Sequence, residues 1–255
     1  MIKLSVYLIT FNEEKRLPGT LAAAVKVADE LIIVDSGSTD STESIALKFN
    51  AKFFHHDWTS YGEQVKIAQD LCTNRWVLRL DADEVLSDEL IEEILRIKSS
   101  SPDCDGFRLR IGDVYPGIQK PIRAVKHYRL IRFYRRDRFT MAGVLDDNVR
   151  ALVQNPKVKT LHGFVIHHSF FSLAQTIEKQ NFATDLRIKM LLKEERSYPA
   201  WRMVGCSTLT FLKYYILYRQ FLYGWWGFIN SVNIAYFRFM KFAKWYEYEI
   251  NKKLL

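Results

Sequence analysis

The sequence predicts an α/β fold, built on a mostly parallel sheet with helices on both faces and followed by a helical extension. In the first hundred residues, short apolar runs typical of strands alternate with helical patterns and short, turn-rich joints. From about residue 172 onward the pattern is helical, basic and aromatic. At 255 residues the chain can form one large domain with an appendage, so its core needs no disulfides.

The first half is predicted to be a series of strands, each followed by a helix. The strands are Leu4 to Thr10, Leu31 to Asp35, Lys52 to His55 and Trp76 to Leu80. The helices are Leu17 to about Val27, one that starts among the capping residues Ser36 to Thr42 and runs through Phe49, Tyr61 to Cys72, and Ser87 to Lys98. In such a parallel arrangement the carboxyl ends of the strands share one edge of the sheet.

The second half changes to shorter β-like runs and then to helices. The runs are Gly106 to Ile111, Tyr128 to Tyr134 and Lys157 to His167. Because no long helices divide them, we expect residues 102–171 to extend the same sheet and to form the acceptor side of a cleft. We therefore place one domain at residues 1–171 and a helical region at residues 172–255, broken near Pro199 and at Gly224 to Gly227.

The most informative segment is Trp76 to Glu84, an apolar strand that leads into Asp81-Ala82-Asp83. Along an extended chain Asp81 and Asp83 point to the same side. Two carboxylates so close repel each other unless a hard divalent cation lies nearby. The alternative is a solvated loop that caps the next helix, because so short a motif also arises by chance.

Two more polar motifs follow strands, and we expect all three to lie at one edge of the sheet. Thr10-Phe11-Asn12-Glu13-Glu14 leaves the first strand, and Val34-Asp35-Ser36-Gly37-Ser38-Thr39-Asp40 leaves the second. Each has a structural alternative as a helix cap or a first helical turn. Their common placement favours a ligand site, because open α/β sheets bind nucleotides at this edge.

Cysteine usage and the amino terminus predict a reduced, cytosolic protein. The three cysteines, Cys72, Cys104 and Cys206, are widely separated and form no Cys-x-x-Cys pair. Met1 leads directly into the first strand, without the pattern of a secretory signal.

The net charge of +8 is concentrated at the carboxyl end. From Arg196 to Leu255 there are nine Lys and Arg and two Glu, together with Trp201, Trp225, Trp226 and Trp245. Such a tail suits an anionic membrane surface or nucleic acid, although aromatic stripes more often pack into a core. Gln220 to Phe237 has no charge, but its amides and glycines favour an interfacial or packed helix over a membrane span.

The three strand-end motifs together resemble the family 2 glycosyltransferases of the GT-A fold, whose amino-terminal halves carry such motifs in the same order. Further segments resemble the bacterial lipopolysaccharide inner-core β-glucosyltransferases. These segments are His55-His56-Asp57-Trp58, Tyr61-Gly62-x-Gln64, Asp81-Ala-Asp-Glu84, His167-His168-Ser169-Phe170 and Gly224-Trp225-Trp226-Gly227-Phe228. The resemblance implies a GT-A (Rossmann-like) mixed sheet whose residues 1–101 bind a nucleotide sugar.

The resemblance also implies roles for individual residues. Asp35 would accept a hydrogen bond from uracil or ribose, and Asp81 would face the ribose. Asp83 would hold Mg²⁺ or Mn²⁺ across the diphosphate, with help from His167. The alternative for Asp35 is capping, and for His167 a structural role. The remaining residues expected to bind the nucleotide sugar are Thr10, Asn12, Glu13, Gln64, Lys66 and Arg132.

Two of these positions, Arg132 and Lys66, each leave two interpretations open. Arg132 could pair with phosphate as a planar donor, or it could belong to a solvated basic strand. Lys66 stands one position beyond the place where the family usually has a basic residue. Either Lys66 supplies that positive charge, or this protein contacts the nucleotide sugar differently.

An inverting transfer needs a base that removes the acceptor hydroxyl proton. The family has a His-Glu pair between the arginine strand and the later histidines, and the matching stretch here is Leu145-Asp146-Asp147-Asn148. Asp147 falls on the glutamate and is the predicted base. Asp146 replaces the histidine and is the alternative.

Other classes fit less well. Aspartate-based phosphatases carry Asp-x-Asp after the first strand, usually followed by Gly-Thr. A nucleic-acid or membrane adaptor would leave the three motifs unexplained. The Gln-x-x-Arg-Trp motif of polymerising family members is not present.

We therefore predict transfer of one sugar, most simply glucose, from a UDP-sugar to a lipid-linked heptose of the lipopolysaccharide core, on the cytoplasmic face of the membrane and without nucleic acid. The alternative is another lipid-linked or protein acceptor.

Overall fold

The computed structural model describes residues 1–141, 149–170, 172–192 and 198–254. The chain folds into two compact units. Unit 1 consists of Met1–Val114 and His127–Ser169, and unit 2 of Tyr115–Lys126 and Phe170–Leu255.

Unit 1 contains an eight-stranded mixed sheet. Its strands are β1 Leu4–Thr10, β2 Glu30–Asp35, β3 Lys52–His55, β4 Trp76–Arg79, β5 Glu84–Leu86, β6 Gly106–Asp113, β7 Tyr128–Arg135 and β10 Val158–His167. They lie in the order β3-β2-β1-β4-β7-β6-β10-β5 across the sheet. β1 pairs in parallel with β2 and β4, and β2 with β3, whereas β7 runs antiparallel to β4 and β6. The region after Pro102 therefore extends the sheet, as predicted.

Helices cover both faces of this sheet because successive strand residues point to opposite sides. The helices of unit 1 are α1 Leu17–Ala24, α2 Thr42–Lys48, α3 Tyr61–Leu71 and α4 Asp88–Ser99. On one face Val6 and Leu8 pack in a cluster with residues of α1 and α4. On the other face Tyr7 packs with Val65 of α3. The predicted α/β fold, a mixed sheet with helices on both faces, is thus confirmed.

The sequence did not indicate three short strands. β5 pairs antiparallel with β10, and β8 Phe139–Met141 pairs with β9 Val149–Ala151 in a separate two-stranded sheet. Each spans three residues, so none shows the repeated alternation from which strands are predicted.

Unit 2 is helical after the segment Tyr115–Lys126, and the helical carboxyl-terminal region was predicted. It contains α5 Leu173–Leu192, α6 Arg202–Leu212, a π-helix at Lys213–Leu217, a 3₁₀ helix at Gln220–Tyr223 and α7 Trp225–Leu254. Within the described part of the chain, none of the helices has the length and apolar character needed to cross a bilayer.

Two of the tryptophans considered for a membrane surface are instead packed inside unit 2. Trp245 is buried, with its ring 5.4 Å from that of Tyr198. The ring of Trp226 lies 4.9 Å from that of Phe170 and 6.2 Å from that of Tyr115. Trp245 therefore faces the interior of the unit, whereas Trp226 is partly buried and packs against its neighbouring segment.

Candidate functional site

The loops that follow β1 and β2 are hydrogen-bonded to each other at one edge of the sheet. Asn12 has a φ of 54°, a left-handed conformation that asparagine adopts more readily than most residues. Its N–H donates to Ser38 Oγ at 2.7 Å, and its Oδ1 accepts from the Thr39 N–H at 2.9 Å. The Glu13 N–H donates to Thr42 Oγ1 at 2.8 Å. The structure therefore joins the first two strand-end motifs, as their placement in the sequence predicts.

Asp35 is buried at the end of β2 and holds the loop that follows it. Its Oδ1 accepts from Thr10 Oγ1 at 2.8 Å and from Ser38 Oγ at 2.6 Å. Its Oδ2 accepts from the N–H groups of Gly37 and Ser38 at 2.8 and 2.6 Å. Gly37 has a φ of 94°, which favours glycine and turns the loop back over the carboxylate. Asp35 thus closes the loop and does not cap α2, whose N-cap is Ser41, and its contact to uracil or ribose stays a prediction.

Gln64 is fully buried near the start of α3 and links the ends of β2 and β3. Ser60 caps this helix by accepting the Glu63 N–H, which fixes the helix start one turn before Gln64. Gln64 Nε2 donates to Ser36 Oγ and to the His56 carbonyl, both at 2.7 Å. Gln64 Oε1 is buried with no hydrogen-bond partner among the described residues. A buried amide oxygen in this state is suited to accept from a ligand.

Asp81 lies just beyond β4, between two buried arginines. Arg79 Nη2 is 3.3 Å from Asp81 Oδ1, and Arg132 Nη2 is 3.2 Å from Asp81 Oδ2. The Tyr61 hydroxyl donates to Asp81 Oδ1 at 3.3 Å. Burial alone would raise the pKa of Asp81, but Arg132 and Arg79 outweigh it and lower the pKa. Asp81 is therefore held ionised as a hydrogen-bond acceptor.

Asp83 lies between a histidine and an arginine. Its Oδ1 is 3.5 Å from His167 Nε2, and its Oδ2 accepts from Arg16 Nη1 at 3.1 Å. The other ring nitrogen of His167 is 2.8 Å from Asp113 Oδ1. Burial alone would lower the pKa of His167, but its bonds to Asp113 and Asp83 raise that pKa to about 11. Burial opposes ionisation of Asp83 as well, and its contacts with His167 and Arg16 outweigh it and lower its pKa.

The backbone between the two aspartates differs from the extended segment expected from the sequence. β4 ends at Arg79, and the Glu84 N–H donates to the Asp81 carbonyl at 3.0 Å, which closes a turn. Ala82 is buried inside this turn. Because the chain turns, Asp81 and Asp83 contact separate groups of cations instead of pointing side by side.

The side chains around Asp83 fit a divalent ion. A carboxylate oxygen and an imidazole nitrogen 3.5 Å apart can be two ligands of one Mn²⁺ or Mg²⁺ when the ion displaces the proton of His167, because only a neutral imidazole binds a metal. No group of three or more His, Cys, Asp or Glu side chains suited to a metal occurs among the described residues. An ion held by Asp83 and His167 would therefore take its other ligands from substrate and water.

Two predicted donor-binding cations have different partners from those expected. Arg132 is buried and pairs with Asp81 and with Glu84, whose Oε1 is 3.5 Å away, and its contact with a phosphate stays a prediction. The reason is that β7 lies beside β4, which brings Arg132 next to the turn after β4. Lys66 pairs with Asp70 one turn along α3, because residues four apart share a helix face.

Sequence reasoning missed three residues that build the site, namely Arg16, Arg79 and Asp113. A signal existed for Arg79, because an arginine inside the apolar strand Trp76-Val-Leu-Arg79 is seldom buried without a carboxylate partner. Arg16 donates hydrogen bonds to both Glu13 and Asp83. Asp83 is 67 positions away from Arg16, so no short-range pattern in the sequence indicates their contact.

The predicted base Asp147 and its alternative Asp146 lie outside the described residues. The described residue nearest before them is Met141, at the end of β8. Its sulfur is 3.8 Å from Arg79 Nη1, and Arg79 contacts Asp81. Met141 thus lies beside the arginine that contacts Asp81.

The chain is similar to known proteins over most of its length. The family model described as Glycosyl transferase family 2 matches residues 5–153. An uncharacterised glycosyltransferase of Rickettsia typhi is 31% identical, over 99% of this chain and 90% of its own length. The lipopolysaccharide core biosynthesis glycosyltransferase LpsC of Rhizobium meliloti is 24% identical, over 96% of this chain and 93% of its own length.

Solved structures resemble the chain only in part. The crystal structure of S. aureus TarS 1-349 is 24% identical with a TM-score of 0.40, over 49% of this chain and 40% of that one. The chain thus spans less than half of the length of that solved protein.

Proposed function

The chain belongs to glycosyl transferase family 2, and we propose that it transfers a single sugar from a UDP-sugar, most simply UDP-glucose, to a heptose of the lipopolysaccharide inner core. The observation that carries the proposal is the position of Asp83. It lies at the carboxyl end of a parallel strand, between His167 and Arg16, and next to two joined polar loops. That edge of an open α/β sheet is where a nucleotide ligand binds.

The nucleotide would lie over the ends of β1, β2 and β4. Gln64 Oε1 offers a buried acceptor for the imide N–H of a uracil base. Asp81, ionised and held by two arginines, offers an acceptor for ribose hydroxyls. The loop that contains Asn12 and Glu13 borders the same edge and would contact the base and ribose.

A divalent ion would be held by Asp83 and His167 and would neutralise charge on the diphosphate as the sugar leaves. Asp113 orients His167 through its other ring nitrogen, which is the usual support for a histidine that binds metal. Arg16 is a second positive group beside Asp83. Positive charge would therefore lie on both sides of this carboxylate, and it favours an anionic substrate.

The acceptor hydroxyl would be deprotonated by Asp147, with Asp146 as the alternative. Attack from the face opposite the diphosphate inverts the anomeric centre, which is the outcome of a single displacement assisted by a base. The contact of Met141 with Arg79 supports this assignment, because Met141 is the described residue nearest before Asp146 and Asp147, and Arg79 contacts Asp81.

The acceptor class rests on the similarity to LpsC, whose name places it in lipopolysaccharide core synthesis. A lipid-linked acceptor confines the reaction to a membrane surface. We accordingly place the enzyme at the cytoplasmic face, as a peripheral protein that acts on anionic membrane and does not bind nucleic acid.

A screen of nucleotide sugars tests the proposal. Each is incubated with the protein and Mn²⁺, and hydrolysis and thermal stabilisation are measured. We expect UDP-glucose or another UDP-hexose to give both signals, and chelator to abolish them. If no UDP-sugar gives either signal, the proposed function is wrong.

A further inference from the structure

The turn between α6 and α7 presents a row of exposed apolar side chains, which we call the hinge surface. It consists of Leu212, Ile216, Leu217, Phe221, Leu222 and Trp225. Leu217 is 73% exposed and Trp225 is 80% exposed. Single exposed apolar residues are ordinary, but a cluster of this size on one turn indicates a partner.

Ring contacts make the hinge surface continuous across the two helices. The ring of Phe221 lies 6.2 Å from that of Tyr215, which lies 5.7 Å from that of Phe228. Phe228 in turn lies 6.0 Å from Trp225. The aromatic side chains of the π-helix, the 3₁₀ helix and α7 therefore form one connected group between α6 and α7.

The hinge surface rests on an ordered base within unit 2. Tyr223 is buried below it, and its hydroxyl accepts the Ile122 N–H at 3.0 Å. Gly227 approaches the Gln220 carbonyl so closely that a Cβ would overlap it. The Lys126 N–H donates to the Tyr218 carbonyl at 3.1 Å. The apolar side chains are thus held outward by a packed turn and are not the fraying end of a helix.

The charged groups that the structure describes around the hinge surface are positive. Lys213, Arg219 and Lys126 are exposed there, and the ammonium groups of Lys126 and Lys213 lie 4.4 and 5.2 Å from the centre of the Tyr218 ring. The sequence has no Asp or Glu between Glu195 and Glu247, and none in Tyr115–Lys126. The partner of this surface must therefore be both apolar and anionic.

We propose that the hinge surface docks into the headgroup region of an anionic lipid bilayer. Its aliphatic and aromatic side chains would enter the acyl boundary, while Lys126, Lys213 and Arg219 would contact lipid phosphates. A second copy of the chain would bring like charges together, which opposes such a pairing. Nucleic acid would supply phosphates but no hydrocarbon for Leu212, Leu217 and Leu222. This inference deepens the proposed function, because a lipid-linked acceptor requires the enzyme at that surface.

Vesicle sedimentation with the full chain tests the proposal, without any substrate present. Vesicles are made of phosphatidylcholine alone or of an equal mixture with phosphatidylglycerol. We expect binding to the mixed vesicles, weak binding to the neutral ones, and a loss of binding as salt is raised.

Two double variants separate the apolar and the charged contributions. Leu217→Ser with Trp225→Ser should weaken binding to mixed vesicles by about a hundredfold. Each substitution removes an apolar side chain whose transfer from water into the bilayer favours binding. Lys126→Gln with Lys213→Gln should weaken it by about twenty-five-fold at low salt, because each cation contributes about fivefold.

The matched control is Leu47→Ser with Phe182→Ser, an exposed leucine on α2 and an exposed aromatic residue on α5 outside the hinge surface. It should bind vesicles as the unmodified chain does. Circular dichroism and thermal unfolding of every variant report whether the fold is kept. The proposal is wrong if the hinge variants fold and bind normally, if the control loses binding equally, or if neutral and mixed vesicles bind alike.

The vesicle experiment and the nucleotide-sugar screen can fail independently of each other. Vesicle binding without turnover of any UDP-sugar would leave the docking surface intact and overturn the transferase assignment alone. UDP-sugar hydrolysis without vesicle binding would overturn the docking surface alone. A hinge variant that changes a dimer into a monomer, with vesicle binding unchanged, would identify a second copy as the occupant and also overturn the proposal.

Discussion

At the scale of single residues, the site is organised around two aspartates whose charges are already compensated. Asp81 contacts Arg79 and Arg132, and Asp83 contacts Arg16 and His167. The sequence suggested that two adjacent carboxylates need a cation, and the fold supplies four protein cations for them. These contacts keep both carboxylates ionised, which is the state that a metal or a ribose hydroxyl requires.

The metal prediction concerns Asp83. Asp83→Ala should reduce Mn²⁺-dependent UDP-sugar turnover by at least about a hundredfold. The reason is that Asp83 is proposed to bind the metal directly, and is not a residue that only orients a metal ligand. Nucleotide binding measured by calorimetry should lose its dependence on Mn²⁺. Asp137→Ala is the control, because Asp137 is an exposed carboxylate paired with Arg75, before β4. Normal turnover of the Asp83 variant, or full activity in chelator, would rule out the metal role.

The base prediction concerns Asp147. Asp147→Asn keeps the size and removes the basicity, so transfer should fall by about two to four orders of magnitude. The affinity for the UDP-sugar should change little, because the base contacts the acceptor. Single-turnover transfer and equilibrium binding measure the two effects separately. Should Asp146→Asn abolish transfer while Asp147→Asn retains it, the base is Asp146.

At the scale of elements, the packing of α4 on β10 supports the strand that carries His167. The register of β10 against β6 shifts between Thr160 and Phe164, and Glu93 of α4 accepts the Gly163 N–H at 2.9 Å within this irregularity. Ser87 Oγ accepts the Phe164 N–H at 3.0 Å next to it. The helix that follows Asp83 thus fixes the strand that brings His167 back to Asp83.

This packing gives a stability prediction. A Cβ on Gly163 would lie 2.5 Å from the Leu90 Cα, and backbone atoms of a packed helix cannot move aside cheaply. Gly163→Ala should therefore lower the free energy of unfolding by about 1–3 kcal/mol, as measured by urea denaturation. Gly19→Ala is the matched control, since its Cβ would meet only Val85 Cγ2 at an ordinary 3.7 Å and α1 would gain helix propensity. Equal losses in both variants would contradict the steric explanation.

At the scale of the whole molecule, unit 1 contains an acid-sensitive junction far from the proposed site. Glu30 starts β2 and accepts hydrogen bonds from Ser5 of β1, from Lys52 of β3 and from Thr73 after α3. Burial alone would raise the pKa of Glu30, but hydrogen bonds from Lys52, Ser5 and Thr73 outweigh it and lower the pKa to about 2. The ionised carboxylate thus joins three strands of the sheet.

The stability of the fold should therefore depend on acid through Glu30. Its pKa falls from an ordinary 4.5 to about 2 on folding, so its contribution is complete above about pH 4.5 and is lost as the pH falls through 2. Glu30→Gln should lower the free energy of unfolding at pH 7 by about 1–3 kcal/mol and flatten its fall below pH 4.5. Glu92→Gln, an exposed position on α4, is the control. A Glu30 variant whose stability follows the unmodified chain at every pH would contradict this prediction.

The sequence by itself determined the α/β class, the four parallel strands, the helical carboxyl-terminal region and the meeting of three motifs at one edge. These features follow from local patterns, because hydrophobic periodicity and capping residues act over a few positions. The family assignment followed from the same motifs, and the comparison with known sequences confirms it.

Only the tertiary structure decided which side chains pair. Arg16 with Asp83, Arg132 with Asp81, and Asp113 with His167 are separated by 67, 51 and 54 positions, so no short-range pattern connects them. The same holds for Trp245, which packs inside the helical unit, and for Trp225, which does not. Charge and aromatic content are visible in the sequence, but burial depends on which faces the folded chain brings together. Residue types could therefore be predicted from the sequence, whereas their partners could not.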